Sequence, residues 1–455
     1  MTTHKSRVLD MTQGDPFRLV LQFSLPLFCS NLLQQIYNLT DTALAGHLLG
    51  ADALAEIGAT AALYGLIMNF AFGMNNGLAL TVSRHFGAGD ENGVRRAVGW
   101  MVTLSVAVSL VLTSTSLLGR NALLTALQVP TEVWDGAAAY LGVILLGIPL
   151  TMLYNMEAAL LRAVGNSITP LLFLLFSSVL NVGLDVAFMG PLGMGVRGAA
   201  IATVLAQGIS AGLGVVYILR GYPELHFTLR QLKKTTPHAV TNMFWAGMSM
   251  GLMSAIYNLG SVALQSSINA LGSVYITAQT AARRMAELYF IPGAALGTSV
   301  ATFSSQNLGA GKRSRIVQSL KAAIAIYMVW WLFVAAYTIF LGEITIRAIT
   351  GSADEVIVAN AMFYLKVSVP LIPPMGVLVI LRNMLQGIQH TIEPLLASAL
   401  ELIGKVIFAI WIVPVHGYRA VCFCEPTTWI ICFVFIVAAT WHCRADLRDA
   451  PAQAK

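Results

Sequence analysis

Asp41 and Asp185 are acids within long apolar stretches of a 455-residue chain, and their neighbours have a spacing suited to chemistry. Asp41 ends a polar seam of Asn31, Gln34 and Asn38, whose intervals of three and four put all four on one helix face. Asn181 and Asp185 are four apart, and so are Thr203 and Gln207. No Lys or Arg lies at the level of the two aspartates in either stretch, and the nearest base is Arg197. Two carboxylates without a fixed cation should not both ionise in a dry site. Such a pair can take a proton from one side of a membrane and release it to the other. The plainer alternative is a structural pair, hydrogen-bonded near the lipid headgroups.

The second half of the chain is charged differently. Ser261 stands where the internal repeat puts the counterpart of Asp41, and Glu401 and Lys405 are four apart. They read as a structural ion pair, since buried charges need partners. Glu425 has no partner evident in sequence and is a substrate contact candidate. Arg283, Arg284 and Glu287 read as structural pairs, as does Glu157 with Arg162. Gln34, Tyr37, Asn38, Asn155, Gln207, Tyr257, Glu401, Lys405 and Glu425 form the set of substrate-cavity candidates. Pro26 removes a backbone donor from the first helix and is a candidate hinge.

The elements that must position these residues follow from composition. Apolar residues make up 57% of the chain and charged ones only 11%, and the mean hydropathy is +0.73. A soluble domain carries roughly a quarter charged residues, so most of this surface must face lipid. Twelve membrane spans are expected near 17–47, 53–83, 94–118, 133–162, 168–190, 197–219, 240–270, 276–305, 316–341, 355–386, 393–413 and 419–441. The first fifteen residues are polar and run into a full-length span, so no cleavable signal is expected. Cys29, Cys422, Cys424 and Cys432 lie in apolar runs, and Cys422-x-Cys424 lacks metal-site spacing. No metal or cofactor is expected. The net charge of +6 is spread over short loops and is not a nucleic-acid signal.

Orientation follows from those bases. Lys5, Arg7, Arg84, Arg95, Arg96, Arg220, Arg230, Lys233, Lys234, Lys312, Arg313, Arg315, Arg444 and Arg448 fall on one side. The other side receives Asp52, Glu132, Asp135, Glu343, Asp354 and Glu355. Both termini are therefore expected in the cytoplasm of a cell with an inner membrane.

An internal repeat organises the chain. Ile36-Tyr37-Asn38-Leu39 recurs as Ile256-Tyr257-Asn258-Leu259, and Gly87-Ala88-Gly89 as Gly309-Ala310-Gly311. Tyr140-Leu141, Pro149 and Pro170-Leu171-Leu172 recur as Tyr364-Leu365, Pro373 and Pro394-Leu395-Leu396. Six spans per half is an even number, so both halves enter from one side. The expected fold is all-α integral membrane, with twelve transmembrane helices in two six-helix bundles related by a pseudo-twofold along the membrane normal. The expected domains are an N-terminal lobe at 1–220, a linker loop at 221–238 and a C-terminal lobe at 239–455. With about 1.5 Å of rise per residue, Asp41, Asp185 and Thr203 lie at one depth, about 8–10 Å from the outer ends of their helices.

Enzyme motifs fail on context. Gly311-Lys312 is not a phosphate-binding loop, because Gln306 and Arg313 occupy its defining positions. Gly247-x-Ser249-x-Gly251 lies inside a span, with no histidine deep in any span, and reads as small-residue helix packing rather than a hydrolase nucleophile.

Two longer motifs carry a family likeness: Leu161-Arg162-Ala163-Val164-Gly165-Asn166-Ser167-x-Thr169-Pro170 and Gln306-Asn307-Leu308-Gly309-Ala310-Gly311-Lys312. With the two-lobe repeat, they make the whole chain resemble the multidrug and toxic compound extrusion (MATE) family of secondary transporters. The sodium-coupled branch similar to norfloxacin exporters keeps acids in the seventh and tenth helices, and both are missing here. The branch named after a DNA-damage-inducible protein is matched at Gln34, Tyr37, Asp41, Asn181, Asp185 and Thr203, and at Pro26. Cys424-Glu425-Pro426 and the Glu401/Lys405 pair depart from it.

The resemblance implies export of organic, cationic and aromatic small molecules by proton antiport with alternating access, sodium being the other possible coupling ion. Asp41, Asp185, Asn181 and Thr203 would couple the ion, and lipids would surround a monomer. A lipid-linked precursor flippase of the same superfamily is the alternative, although such relatives often carry extra helices and basic cavities. An intramembrane serine hydrolase using Ser249, or a passive channel, would each need a different behaviour.

Overall fold

The computed structural model describes residues 8–351 and 354–447. Lys5, Arg7 and Arg448, counted above among the orienting bases, lie outside the described residues. Among the described residues there is no strand. In a bilayer every backbone N–H and C=O must be satisfied within its own segment or a closed barrel, and uninterrupted apolar runs of this length do so as helices.

Six helices form the first half: α1 (Pro16–Leu49), α2 (Ala51–Gly87), α3 (Glu91–Leu118), α4 (Trp134–Ala163), α5 (Ile168–Met189) and α6 (Gly195–Gly221). Six more form the second: α7 (Pro237–Asn269), α8 (Ser273–Gly309), α9 (Arg313–Thr350), α10 (Glu355–Gly387), α11 (Ile392–His416) and α12 (Tyr418–His442). They match the twelve expected spans. Ten are long and apolar enough to cross a membrane. The other two, α7 and α8, have 33 and 37 residues. Large apolar side chains point outward, Leu118 being 90% and Phe340 78% exposed, as a lipid-facing surface requires.

Two helices are interrupted where proline removes an N–H and crowds the preceding turn. A 3-10 turn, Val369–Leu371, breaks α10 beside Pro370, Pro373 and Pro374. In α11 a π turn, Phe408–Ile412, precedes Pro414. Pro26, by contrast, lies inside a continuous α1.

The repeat is visible in the backbone. Gly50 and Gly272, joining the first two helices of each half, have φ of 91° and 103°. Gly89 and Gly311 have 68° and 71°. Glycine adopts these left-handed values without a Cβ clash. Packing repeats as well: α4 is the hub for α2, α3 and α6, and α10, its counterpart, for α8, α9 and α12.

Two compact units result. One comprises Met1–Asp10 and Cys29–Ser254, the other Met11–Phe28 and Ala255–Lys455. Both α1 and α7 therefore contribute to each unit, and Pro26 lies just before the point where α1 changes unit. In the second unit, the Gln306–Lys312 motif clamps the chain's N-terminal segment. Asn307 donates to the Met11 carbonyl at 2.9 Å, Lys312 to that of Thr12 at 2.8 Å, and Arg315 to that of Gly14 at 2.9 Å.

In the first unit α2 and α7 approach backbone to backbone through glycines. A Cβ on Gly77 would collide with the Ala246 carbonyl oxygen, and one on Gly73 would lie 2.5 Å from that of Met250. Gly247 and Gly251 face Leu78 and Phe70 of α2 in return. Ser249, between them, is 2% exposed, so the Gly-x-Ser-x-Gly run is a packing face. Gly77→Ala is expected to lower the thermal midpoint of the solubilised protein, at a cost of about 1–3 kcal/mol or more for overpacking. Gly58→Ala, on the same helix with nothing within 4 Å, should leave it unchanged. Equal midpoints would contradict the close approach.

Candidate functional site

The first unit brings its predicted polar residues together. The turns of α1 and α5 place the carboxyls of Asp41 and Asp185 within hydrogen-bonding reach of each other. Asp185 is fully buried and Asn181, one turn before it, is 1% exposed. The Asn181 side-chain amide donates to Thr203 Oγ1 of α6 at 3.4 Å. Thr203 is anchored by donating to the Ala199 carbonyl at 3.1 Å, and the Tyr37 hydroxyl reaches it from α1. Both Asp185 oxygens, Asp41 Oδ1 and Asn181 Oδ1 accept no protein hydrogen bond. Buried acceptors are normally satisfied, so these four oxygens stand out among the buried polar atoms.

Sequence reasoning missed part of this site. Tyr64 of α2 and Tyr140 of α4 flank the aspartates, and Tyr64 reaches Gln207. Gln207 in turn accepts from Thr151 Oγ1 at 2.6 Å. Tyr140 belongs to a repeated motif, which was the available signal. Other candidates stand apart from the pair. Gln34 donates to Asn38 along α1 at 3.2 Å, and Asn155 donates to the Thr151 carbonyl within α4 at 2.9 Å.

The second unit holds a charge network instead. Glu425 of α12, without an evident partner in sequence, has three: Arg283 of α8 at 2.8 Å, the Tyr364 hydroxyl of α10 at 2.7 Å, and Lys405 of α11 at 3.6 Å. Lys405 also meets Glu401 at 3.2 Å and lies 4.4 Å from the centroid of the Tyr257 ring. Arg382 of α10 closes the network on Glu401 with two bonds of 3.2 Å. Arg283 also donates to Ser261 at 3.3 Å. Glu401, Lys405 and Glu425 are each 5% exposed or less. Among the five charges, one positive charge is in excess. Desolvation makes such a cluster stable only as a complete set.

Two expectations about pairing are corrected. Arg283 pairs across helices with Glu425, leaving Arg284 to meet Glu287 at 4.0 Å. Glu401 does pair with Lys405, and Arg382 joins them as a further partner. Glu157 makes no ion pair with Arg162. Arg162 donates to Asn76 at 3.1 Å and covers the Phe72 ring, while neither Glu157 oxygen has a hydrogen-bond partner. Residues five apart on a helix face different directions, and packing against Gly214 of α6 takes the Glu157 carboxyl away. Arg382 was legible as a costly base in an apolar run and was overlooked.

The two sites are repeat counterparts. Tyr37 and Tyr257, Tyr140 and Tyr364, Thr203 and Glu425, Asn181 and Lys405, and Asp41 and Ser261 occupy matched positions at the repeat offsets. One frame thus carries a pair of acids in the first unit and a network of fixed charges in the second.

Twelve lipid-facing helices in two six-helix bundles, each with buried polar groups, define a polytopic membrane transporter rather than an enzyme. The family model described as MatE matches residues 26–187 and 249–411, and the chain belongs to that family. The probable multidrug resistance protein YpnP of Bacillus subtilis is 29% identical over 310 residues, covering 68% of this chain and 69% of that protein. A solved MATE structure in complex with MaL6 superimposes with a TM-score of 0.87 at 21% identity, covering 96% of this chain and 98% of the other. A MOP superfamily transporter from Pyrococcus furiosus, described as having a binding pocket of reverse polarity that suggests a different function, gives 0.86 at 21% identity with the same coverage.

Glu425→Gln is expected to lower thermal stability by about 3–5 kcal/mol, because Arg283 and Lys405 lose their counter-charge in a buried site. Arg284→Gln, whose side chain is 59% exposed, should stay within about 0.5 kcal/mol. A neutral Glu425→Gln in thermal unfolding would mean the network is hydrated and slack.

Proposed function

We propose that this chain exports multiple organic compounds by antiport against an ion gradient, with Asp41 and Asp185 as the coupling pair. The observation that carries this reading is the approach of the two carboxyls in a buried site without a cation. Two adjacent acids in such surroundings need a proton or a cation between them. Occupied, the pair is neutralised; emptied, the acids repel each other and pull on α1 and α5. A ligand shifts such an equilibrium only by binding two states unequally. Asn181, Thr203 and Tyr37 supply polar contacts that register the change, and Pro26 is the hinge through which α1 responds. Protons enter from outside, loosen the drug and are released into the cytoplasm, where both termini lie.

The substrates proposed are cationic and aromatic, as the name of the Bacillus subtilis relative suggests multidrug handling. The excess positive charge around Arg283, Arg382 and Lys405 favours a second reading, the transfer of an anionic lipid-linked precursor. Efflux is preferred because all three cations are engaged with Glu401 or Glu425.

The test is dye efflux from proteoliposomes with proton and sodium gradients imposed separately. Wild type is expected to export cationic dyes when driven by protons, and Asp41→Asn to lose at least tenfold of that rate while still binding dye. Wild-type rates in Asp41→Asn would overturn the coupling assignment. Transport of a fluorescent lipid-linked oligosaccharide without dye export would establish the second reading instead.

A further inference from the structure

Outside these sites, one cluster combines ligand types that neither the coupling pair nor the charge network uses. His390 and Glu393 stand where α10 turns into α11, and Cys443 follows the last residue of α12. His390 Nδ1 is 3.2 Å from Glu393 Oε1 and 3.4 Å from Cys443 Sγ, and the sulfur is 4.0 Å from that same Glu393 oxygen. One nitrogen, one oxygen and one sulfur therefore face a common point. Zinc bonded at about 2.0–2.3 Å in tetrahedral geometry holds its ligand atoms roughly 3.3–3.6 Å apart, close to these separations. The far nitrogen, His390 Nε2, is 3.1 Å from Asp446 Oδ2. A carboxylate there fixes the tautomer that leaves Nδ1 free to bind metal, as outer carboxylates do for ligating histidines.

The internal repeat supplies an independent observation. In the first unit the matched turn carries Asn166 and Thr169, and Tyr222 follows the last residue of α6. Asn166 donates to Thr169 Oγ1 at 2.8 Å and to Tyr222 Oη at 2.7 Å, closing the same turn by neutral hydrogen bonds. At the repeat offset Asn166 and Thr169 become His390 and Glu393, and Cys443 ends α12 as Tyr222 ends α6. A hydrogen-bonded clasp needs none of these types, whereas a borderline-soft metal uses all three. Gln389 also keeps the left-handed backbone of its counterpart Gly165, with φ of 73° against 89°. A non-glycine residue held there costs energy, and that conformation delivers His390 to the cluster.

We infer that His390, Glu393 and Cys443 form a binding site for a zinc-class divalent metal, with Asp446 orienting the histidine. The metal joins the turn before α11 to the end of α12, and three protein ligands leave a fourth position for water. The site is separate from ion coupling, since none of its residues belongs to the Asp41–Asp185 pair. Its spacing hid it from sequence reading, because 53 residues separate His390 from Cys443.

The experiment is titration of tag-free, chelator-treated wild-type protein in detergent with Co2+, followed by displacement with Zn2+. One equivalent per chain is expected, with a thiolate-to-cobalt absorption band that zinc abolishes and a thermal midpoint that rises with metal. Cys443→Ser should remove the band, and Asp446→Asn should weaken binding about 10–100-fold. Because a single variant can misfold, His390→Asn combined with Glu393→Thr rebuilds part of the first unit's clasp. That double variant should keep the metal-free midpoint of wild type and lose its metal response. Absence of stoichiometric cobalt binding in wild type, or an undiminished band in Cys443→Ser, overturns the site.

Discussion

A charge inside an apolar helical bundle must be compensated, and each unit of this protein does so differently. In the second unit the compensation is internal, through three bases, two acids and a tyrosine hydroxyl drawn from four helices. In the first unit, two carboxyls meet with no base beside them, and under the coupling proposed above a proton or cation supplies the compensation. A fixed network resists rearrangement, because removing any member strands another in low dielectric. The same backbone frame therefore carries a pair of acids in one unit and a fixed charge network in the other.

The surrounding architecture serves that difference. Glycine-mediated approach of α2 and α7 brings two long helices together within the first unit without bulky side chains. The hubs α4 and α10 hold the neighbouring helices, and each lends a tyrosine, Tyr140 or Tyr364, to its unit's centre. Proline breaks occur in α10 and α11, near the network, whereas α1 runs unbroken through Pro26 and on past Asp41. Membership of the MatE family fits this plan, whose motif loops prove to be clasps: the Gln306–Lys312 run holds residues 11 and 12, and Asn166 closes the turn before α5.

Departures from the expected pairing share one cause. Helical spacing predicts which residues of one helix are neighbours, and Glu401–Lys405 and Arg284–Glu287 obey it. It says nothing about which helix lies opposite. Arg283 turned to Glu425, Arg382 to Glu401, and Arg162 to Asn76, all across helix boundaries. Glu157 was left with Gly214 as its neighbour.

The amino-acid sequence by itself determined the class of this protein, because hydropathy is a property of single segments and ten of its twelve long segments are apolar enough to cross a membrane. It also determined the twofold repetition, since matched motifs recur at nearly constant offsets, and the common depth of Asp41, Asp185 and Thr203, since helical rise is fixed. Only the tertiary structure decided which acids are compensated by protein and which are not. The placement of Asp41 and the burial of Asp185 away from any base, and of Glu425 against two, depend on how whole helices pack, and packing joins residues that the chain keeps far apart. The cluster of His390, Glu393 and Cys443 was likewise decided there, by a turn and a helix end brought together across 53 residues.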